Sequence, residues 1–258
     1  MTTPSGARSH PAMTFSSSSD ATPAPVKTTS SDAATSSDAA TSSDAAKPSD
    51  TTASSAAVSS SAATPHSAVA PGKLLLSEPL AAAETDFWTT EEERAEAARF
   101  GSARRRSEYL TWRTLVRREL GRDAVIGYNG VGAPVVTSPE GYFIGVSHCR
   151  ERVAVCISRQ RCAVDIESVS RNFGAALARC MTPRERSLST DERLGAALWC
   201  AKEALYKYAG RRELELQRDV QVLGVDFEAG RIVGRICGGE PLELQLRCID
   251  GCVVVWRC

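Results

Sequence analysis

The pattern of polar and apolar residues changes at residue 72. Residues 1–72 are nearly all Ser, Thr, Ala, Pro and Asp, and Thr-Ser-Ser-Asp-Ala-Ala occurs three times in tandem between Thr29 and Ala46. Such a segment buries too little apolar surface to offset the entropy lost on ordering it. We therefore expect residues 1–72 to form a disordered tail, and the rest of the 258-residue chain to fold.

Beyond residue 72 the apolar positions follow two different periods. Spacings of three and four residues, with capping residues before them, predict helices from Thr90 to about Phe100, from Ser107 to Leu120, from Pro183, and from Leu194 to Ala209. Alternating or short continuous apolar runs predict strands at Lys73–Leu76, Tyr142–Val146, Val153–Ser158 and Cys162–Glu167, and between Val220 and Trp256. This order of elements indicates an α+β protein with an N-terminal lobe, 73–145, and a C-terminal lobe, 146–258.

Composition excludes several classes of protein. The chain has 31 basic and 31 acidic residues, of which 28 and 26 follow the tail, so we do not expect a dedicated nucleic-acid binder. Its apolar runs are too short to span a membrane, and its first residues lack a basic start followed by an apolar stretch, so we expect neither a membrane span nor a secretory signal. The nine cysteines include no Cys-x-x-Cys pair, and no His follows Cys248 and Cys252, so we expect reduced thiols in the cytoplasm rather than a zinc site.

Acidic residues in two predicted elements are the first candidates for chemistry. In the strand Cys162–Glu167, Asp165 and Glu167 lie on one face, because side chains alternate along a strand. In the last predicted helix Glu203 and Lys207 lie on one side, four residues apart. Taken alone, the Asp165 and Glu167 pair is more typical of a solvent-facing strand edge, and the Glu203 and Lys207 pair is typical of a surface ion pair.

Basic residues and a histidine add to these carboxylates. The chain has 26 Arg and only 5 Lys, and Lys202 and Lys207 flank Glu203. His148 is the only histidine after the tail, and it follows Ser147. Three carboxylates, two ammonium groups and an imidazole together suit Mg²⁺ and a polyphosphate, because hard oxygen ligands hold the ion and cations neutralise phosphate oxygens.

At these residues the sequence resembles the 4′-phosphopantetheinyl transferases in their two-lobed, surfactin-synthetase-activating form. The resemblance rests on Ser147-His148, on the strand Ala163–Glu167 and on Trp199-Cys200-Ala201-Lys202-Glu203-Ala204-Leu205-Tyr206-Lys207, which occur in the family's order. It extends upstream to Tyr109–Leu115 and to Gly132-Ala133-Pro134. In all it covers about residues 75–225, and it implies two pseudo-symmetric lobes, each a small antiparallel sheet packed with helices.

The resemblance also implies a reaction and roles for residues. The 4′-phosphopantetheine of coenzyme A would move to a serine of an apo acyl, peptidyl or aryl carrier protein, releasing adenosine 3′,5′-bisphosphate. Mg²⁺, with Mn²⁺ as an alternative, would be held by Asp165, Glu167 and Glu203. Glu203 would be the base for the serine hydroxyl, and Lys207 would assist the leaving group. Coenzyme A would be bound by Arg113, Ser147, His148, Lys202 and Lys207.

The chain departs from the family pattern at two positions, and other functions stay open. Ala163 stands where the family has Gly, and Ala133 stands where it has a Lys that helps to bind the nucleotide; Arg104–Arg106 are candidates to replace that Lys. The alternatives are a non-catalytic paralogue that binds coenzyme A or a carrier protein, and a different coenzyme A-dependent enzyme such as an acyltransferase.

We expect a monomer with no nucleic-acid or membrane partner.

Overall fold

The computed structural model describes residues 72–258, and the tail predicted to be disordered lies outside them apart from Gly72. In chain order the elements are β1 (Lys73–Ser77), α1 (Ala82–Thr85), α2 (Glu91–Ala98), α3 (Ala103–Leu120), β2 (Val125–Tyr128), β3 (Pro134–Ser138), β4 (Phe143–His148), β5 (Val153–Ser158), β6 (Ala163–Ser168), α4 (Gly174–Cys180), α5 (Pro183–Arg186), α6 (Leu194–Ala209), β7 (Val220–Asp226), β8 (Arg231–Ile236), β9 (Leu242–Ile249) and β10 (Cys252–Arg257).

These strands form small antiparallel sheets, which confirms the α+β class. One sheet has the order β1-β5-β4, a second has the order β6-β10-β9-β8-β7, and β2 and β3 form a hairpin. The strand β6 therefore lies at an edge of the five-stranded sheet, paired with β10 so that Asp165 is opposite Val255 and Glu167 is opposite Val253.

Helices and sheets pack in layers around three apolar clusters. The helix α3 covers one face of the three-stranded sheet through residues such as Trp112 and Val116. Between the two sheets lies a cluster that includes Val164 and Ile166 of β6. The helix α6 covers the opposite face of the five-stranded sheet, where Leu198 joins strand residues in the largest cluster. Both faces of β6 are thus covered, so Asp165 and Glu167 face α6 instead of solvent.

Most predicted elements are confirmed, and the differences have local causes. The helix α3 begins four residues earlier than predicted, because the Ser102 side chain accepts a hydrogen bond from the Arg105 amide and caps a first turn without apolar periodicity. The strands β2 and β3 were not predicted; they pair around a turn in which Gly132 has a φ of +83°. The short helices α1 and α4 were not predicted, since neither has a buried apolar stripe.

The predicted boundary between lobes falls inside β4. The strand β1 comes from the N-terminal side of that boundary, and it pairs with β5 from the C-terminal side, with Leu75 opposite Val155. A division at residues 145 and 146 would therefore cut through one hydrogen-bonded sheet. The division into two lobes stays a prediction.

A buried ion pair fixes α6 to the elements beside it. Lys202 is 0% exposed, and its Nζ atom lies 2.9 Å from Glu185 Oε1 and donates a 2.7 Å hydrogen bond to the Leu216 carbonyl. Glu185 also accepts hydrogen bonds from the amides of Val222 and Thr182. Both charged groups are thus well satisfied, which is the condition under which a buried pair is tolerated.

Removing Lys202 should therefore destabilise the protein. We expect Lys202→Ala to lower the free energy of unfolding by about 3–5 kcal/mol, because Glu185 is left as a buried, unpaired charge. Urea denaturation followed by circular dichroism measures the loss. Lys73→Ala is the matched control, since Lys73 is 63% exposed in its ion pair with Glu119; equal losses in the two variants would contradict a structural role for Lys202.

Candidate active site

Asp165 is the residue around which the candidate site is built. It is 4% exposed, and its Oδ1 atom accepts hydrogen bonds from Ser147 Oγ at 2.7 Å and from Lys207 Nζ at 2.6 Å. Lys207 also donates to the Val164 carbonyl at 3.2 Å. These contacts join β4, β6 and α6 at a single carboxylate. The predicted face of the β6 strand and the predicted side of α6 therefore do meet.

Glu167 and Glu203 lie close enough to Asp165 to respond to its charge. Burial and then the Asp165 charge raise the pKa of Glu167 to about 7, against the opposing effect of Arg171 and Lys207. The same two causes raise the pKa of Glu203 to about 6. Burial lowers the pKa of Lys207, but the charges of Asp165 and Glu203 outweigh it, so the net shift is upward and the ammonium stays protonated. The three carboxylates thus form one electrostatic group.

Arg171 also belongs to this group, although no sequence pattern predicted it. It lies in the turn after β6, donates to Glu167 Oε1, and places its guanidinium 5.1 Å from the centre of the Trp199 ring. Its position depends on the path of an irregular turn, which neither helical nor strand periodicity describes. Only its separation of four residues from Glu167 could have suggested the contact.

The donor set fits a hard divalent cation. Asp165 Oδ2 is buried without a hydrogen-bond partner, which is costly unless another group is meant to contact it. Carboxylate oxygens are the ligands that Mg²⁺ prefers. The ligand atoms of Asp165, Glu167 and Glu203 do not all lie within 4.8 Å of one another, however. Arg171 holds an oxygen of Glu167, so a cation shared by the three carboxylates requires this side chain to rearrange.

His148 marks a second, cationic part of the site at the end of β4. Burial, followed by the charges of Lys207, Arg105 and Arg104, lowers the pKa of His148 to about 4, so the imidazole is neutral at neutral pH. Its Nδ1 atom lies 3.3 Å from Glu108 Oε2. The imidazole, which is 27% exposed, thus responds to three cationic side chains while it contacts the Glu108 carboxylate.

Three other residues that were predicted to bind coenzyme A have buried side chains. Lys202 forms an ion pair with Glu185 in the core. It does not lie beside Lys207, because five residues along a helix correspond to a rotation of about 140°. Arg113 is 2% exposed and donates from all three of its nitrogens, to Glu93, Tyr109 and Tyr128. Ser147 is buried and bonded to Asp165. In this conformation Lys202 and Arg113 have structural roles, and Ser147 orients a carboxylate.

Comparison with known families points to one kind of domain. Residues 161–246 match the family model described as the 4′-phosphopantetheinyl transferase superfamily. This segment is therefore similar to 4′-phosphopantetheinyl transferase superfamily domains. The match begins just before β6, ends within β9 and includes Asp165, Glu167, Glu203 and Lys207. It covers about a third of the chain and leaves β1–β5 outside, so the two-lobed surfactin-synthetase-activating type stays a prediction.

No curated protein was found to match the chain. Among residues 72–258, no helix has both the length and the apolar character needed to cross a bilayer.

The raised pKa of Glu167 predicts a pH-dependent difference in stability. Folding raises that pKa from 4.5 to about 7, so the folded state holds the proton more tightly, and ionisation over this interval lowers stability. In EDTA, Glu167→Gln should therefore gain about 1–3 kcal/mol relative to the unmodified protein between about pH 5 and about pH 8. Denaturant titrations across this range measure the difference.

The control for this pH series is Glu228→Gln, which changes an exposed carboxylate. It should follow the unmodified protein at every pH. A constant difference between Glu167→Gln and the unmodified protein would show that Glu167 does not titrate as the structure implies. Adding Mg²⁺ should remove most of the gain, because a cation beside Glu167 favours its charged form.

Proposed function

We propose that this protein transfers the 4′-phosphopantetheine group of coenzyme A to a serine of an apo carrier protein, releasing adenosine 3′,5′-bisphosphate. The observation that carries the proposal is the group formed by Asp165, Glu167, Glu203 and Lys207 within a superfamily domain of this kind. Buried carboxylates with raised pKa values beside a protonated lysine suit proton transfer next to a polyphosphate.

Glu203 is proposed as the base that accepts the serine proton. A carboxylate whose pKa is about 6 is a better proton acceptor than an ordinary glutamate, and it is still largely ionised at neutral pH. Burial and the Asp165 charge are the causes, so Asp165 contributes to the basicity of Glu203 without contacting the substrate. Removal of the hydroxyl proton prepares the serine oxygen to attack phosphorus.

Lys207 is proposed to bind the phosphate that becomes the leaving group. Its Nζ atom now donates to Asp165 Oδ1 and to the Val164 carbonyl, which fixes the ammonium beside the carboxylates. An ammonium can donate three hydrogen bonds, so one donor is left for a phosphate oxygen. His148 is proposed to contact the nucleotide phosphates, and the nearby Arg104 and Arg105 are proposed to take the place of the family lysine that Ala133 replaces.

Asp165, Glu167 and Glu203 are the residues proposed to hold Mg²⁺, with Mn²⁺ as the alternative. A divalent ion there would supply charge neutralisation for the pyrophosphate of coenzyme A. The chain's own contribution is to orient the ligands. Ser147 and Lys207 fix one oxygen of Asp165, which leaves the buried Oδ2 without a protein partner. Arg171 holds Glu167 and would have to release it.

The nine cysteines are free thiols, in keeping with a reducing, cytoplasmic location. The expected partners are coenzyme A and apo acyl, peptidyl or aryl carrier proteins. We propose that one chain supplies the whole site, since β4, β6 and α6 carry all of its residues apart from Arg171 and the α3 arginines.

The proposed function predicts that Asp165→Asn abolishes transfer while the protein stays folded. Asn keeps the shape but removes the charge that Lys207 and the proposed ion require, so we expect a loss of about 10²–10³-fold or more. The measurement is transfer of a fluorescent coenzyme A label to a panel of purified apo carrier proteins with Mg²⁺. EDTA should stop the reaction, and excess Mg²⁺ should restore it.

Controls separate this outcome from the alternatives. Glu228→Gln, an exposed carboxylate change, should keep full activity, and circular dichroism should show that Asp165→Asn is folded. Near-normal activity of Asp165→Asn would remove Asp165 from the site. If the unmodified protein binds coenzyme A but labels no carrier at high enzyme concentration, a non-catalytic paralogue is favoured. Coenzyme A-dependent acyl transfer that EDTA does not affect would favour an acyltransferase.

A further inference from the structure

Three cysteines from distant parts of the chain meet away from the carboxylates. Cys156 lies in β5, Cys162 lies just before β6, and Cys258 follows β10. Their three sulfur atoms all lie within 4.8 Å of one another. The register of β6 and β10, in which Ala163 is opposite Arg257, explains why Cys162 and Cys258 are adjacent. We call these three residues the thiol cluster.

Two glycines leave the space that the thiol cluster occupies. Gly145 pairs with Cys156 in the sheet, and a Cβ atom on Gly145 would lie 2.7 Å from Cys156 Sγ and 2.9 Å from the Ala163 Cα. A Cβ atom on Gly72 would lie 2.3 Å from the Cys258 Cβ and 3.0 Å from its sulfur. Such distances are too short for a Cβ atom, so only glycine fits at residues 145 and 72. The backbone therefore passes unusually close to the thiol cluster at both glycines.

We propose that the thiol cluster binds a thiophilic metal ion, Zn²⁺ or Cu(I). Thiolates are the ligands that these soft or borderline ions select. With Zn–S bonds of about 2.3 Å in tetrahedral geometry, the sulfur atoms would lie about 3.8 Å apart. A triangle whose sides are at most 4.8 Å therefore needs to contract by about 1 Å or less.

The surroundings of the thiol cluster allow such a contraction and give an ion access. Cys162 and Cys258 lie outside the strands, so their side chains can turn without breaking a β-ladder. Cys156 is 0% and Cys162 8% exposed, whereas Cys258 is only partly buried. An ion can thus enter beside Cys258, and a water molecule can complete the coordination of Zn²⁺.

A second cysteine group provides an internal comparison. Cys149 and Cys252 have sulfur atoms 3.7 Å apart, and a Glu151 oxygen lies within 4.8 Å of both. Both thiols are buried, and this group offers only two thiolates. A soft ion should therefore prefer the three thiolates of the thiol cluster.

The experiment titrates the purified full chain with Zn²⁺ and, separately, with Cu(I), without oxygen and against a chromophoric chelator. Excess Mg²⁺ is present so that the carboxylates are saturated. We expect one ion per chain, with the affinity lowered by at least about tenfold in Cys258→Ser, the cost of losing even an outer partner of a metal ligand. Cys248→Ser, which changes an exposed thiol, is the matched control and should bind like the unmodified protein.

Two more variants and an alkylation measurement show whether the ion is bound at the thiol cluster, at the carboxylates or at the Cys149 and Cys252 group. Asp165→Asn should keep the ion, so failure of the proposed transferase activity would leave this inference untouched. The inference would be overturned if Cys258→Ser bound the ion as tightly as the unmodified protein, or if only Cys149→Ser lost the ion. It would also be overturned if the unmodified protein bound neither Zn²⁺ nor Cu(I). In the unmodified protein the bound ion should protect Cys258 from alkylation, read by mass spectrometry. Unchanged alkylation would also count against the site, whatever the folding of the variants.

Discussion

The compensated burial of the Asp165 carboxylate is the interaction on which the rest of the site depends. A carboxylate that is 4% exposed must be met by charge and hydrogen bonds, and here Ser147 and Lys207 provide both from two other elements. The compensation is incomplete, because Oδ2 has no partner and two more carboxylates lie within electrostatic reach. The fold therefore maintains an excess of negative charge in a covered position, a condition that a passive structural element does not require.

The sequence could predict the carboxylates because elementary periodicity places them. Alternation along β6 puts Asp165 and Glu167 on one face, and a four-residue separation puts Glu203 beside Lys207. Periodicity could not show that β6 is covered on both faces, since that depends on how the two sheets stack. The solvent-facing strand edge that the Asp-x-Glu pattern alone favoured is therefore excluded for β6.

Other parts of the site could not be predicted for physical reasons that differ from residue to residue. Lys202 lies on the apolar stripe of α6 near Leu198 and Leu205, so its burial could be inferred in hindsight, but its partner Glu185 lies on another element. Arg171 depends on the path of a turn. The thiol cluster requires the register between β6 and β10, which spans almost a hundred residues of sequence.

The two lysines of α6 act together in a way that neither shows alone. Lys202 anchors one side of the helix to α5 and β7, and Lys207 anchors another side to β6. Because an ion pair holds the helix on each of two sides, it can neither rotate about its axis nor translate along it without breaking a charged contact. The direction in which Glu203 projects is thus set by the helix as a rigid body, through contacts that its two flanking lysines make with other elements.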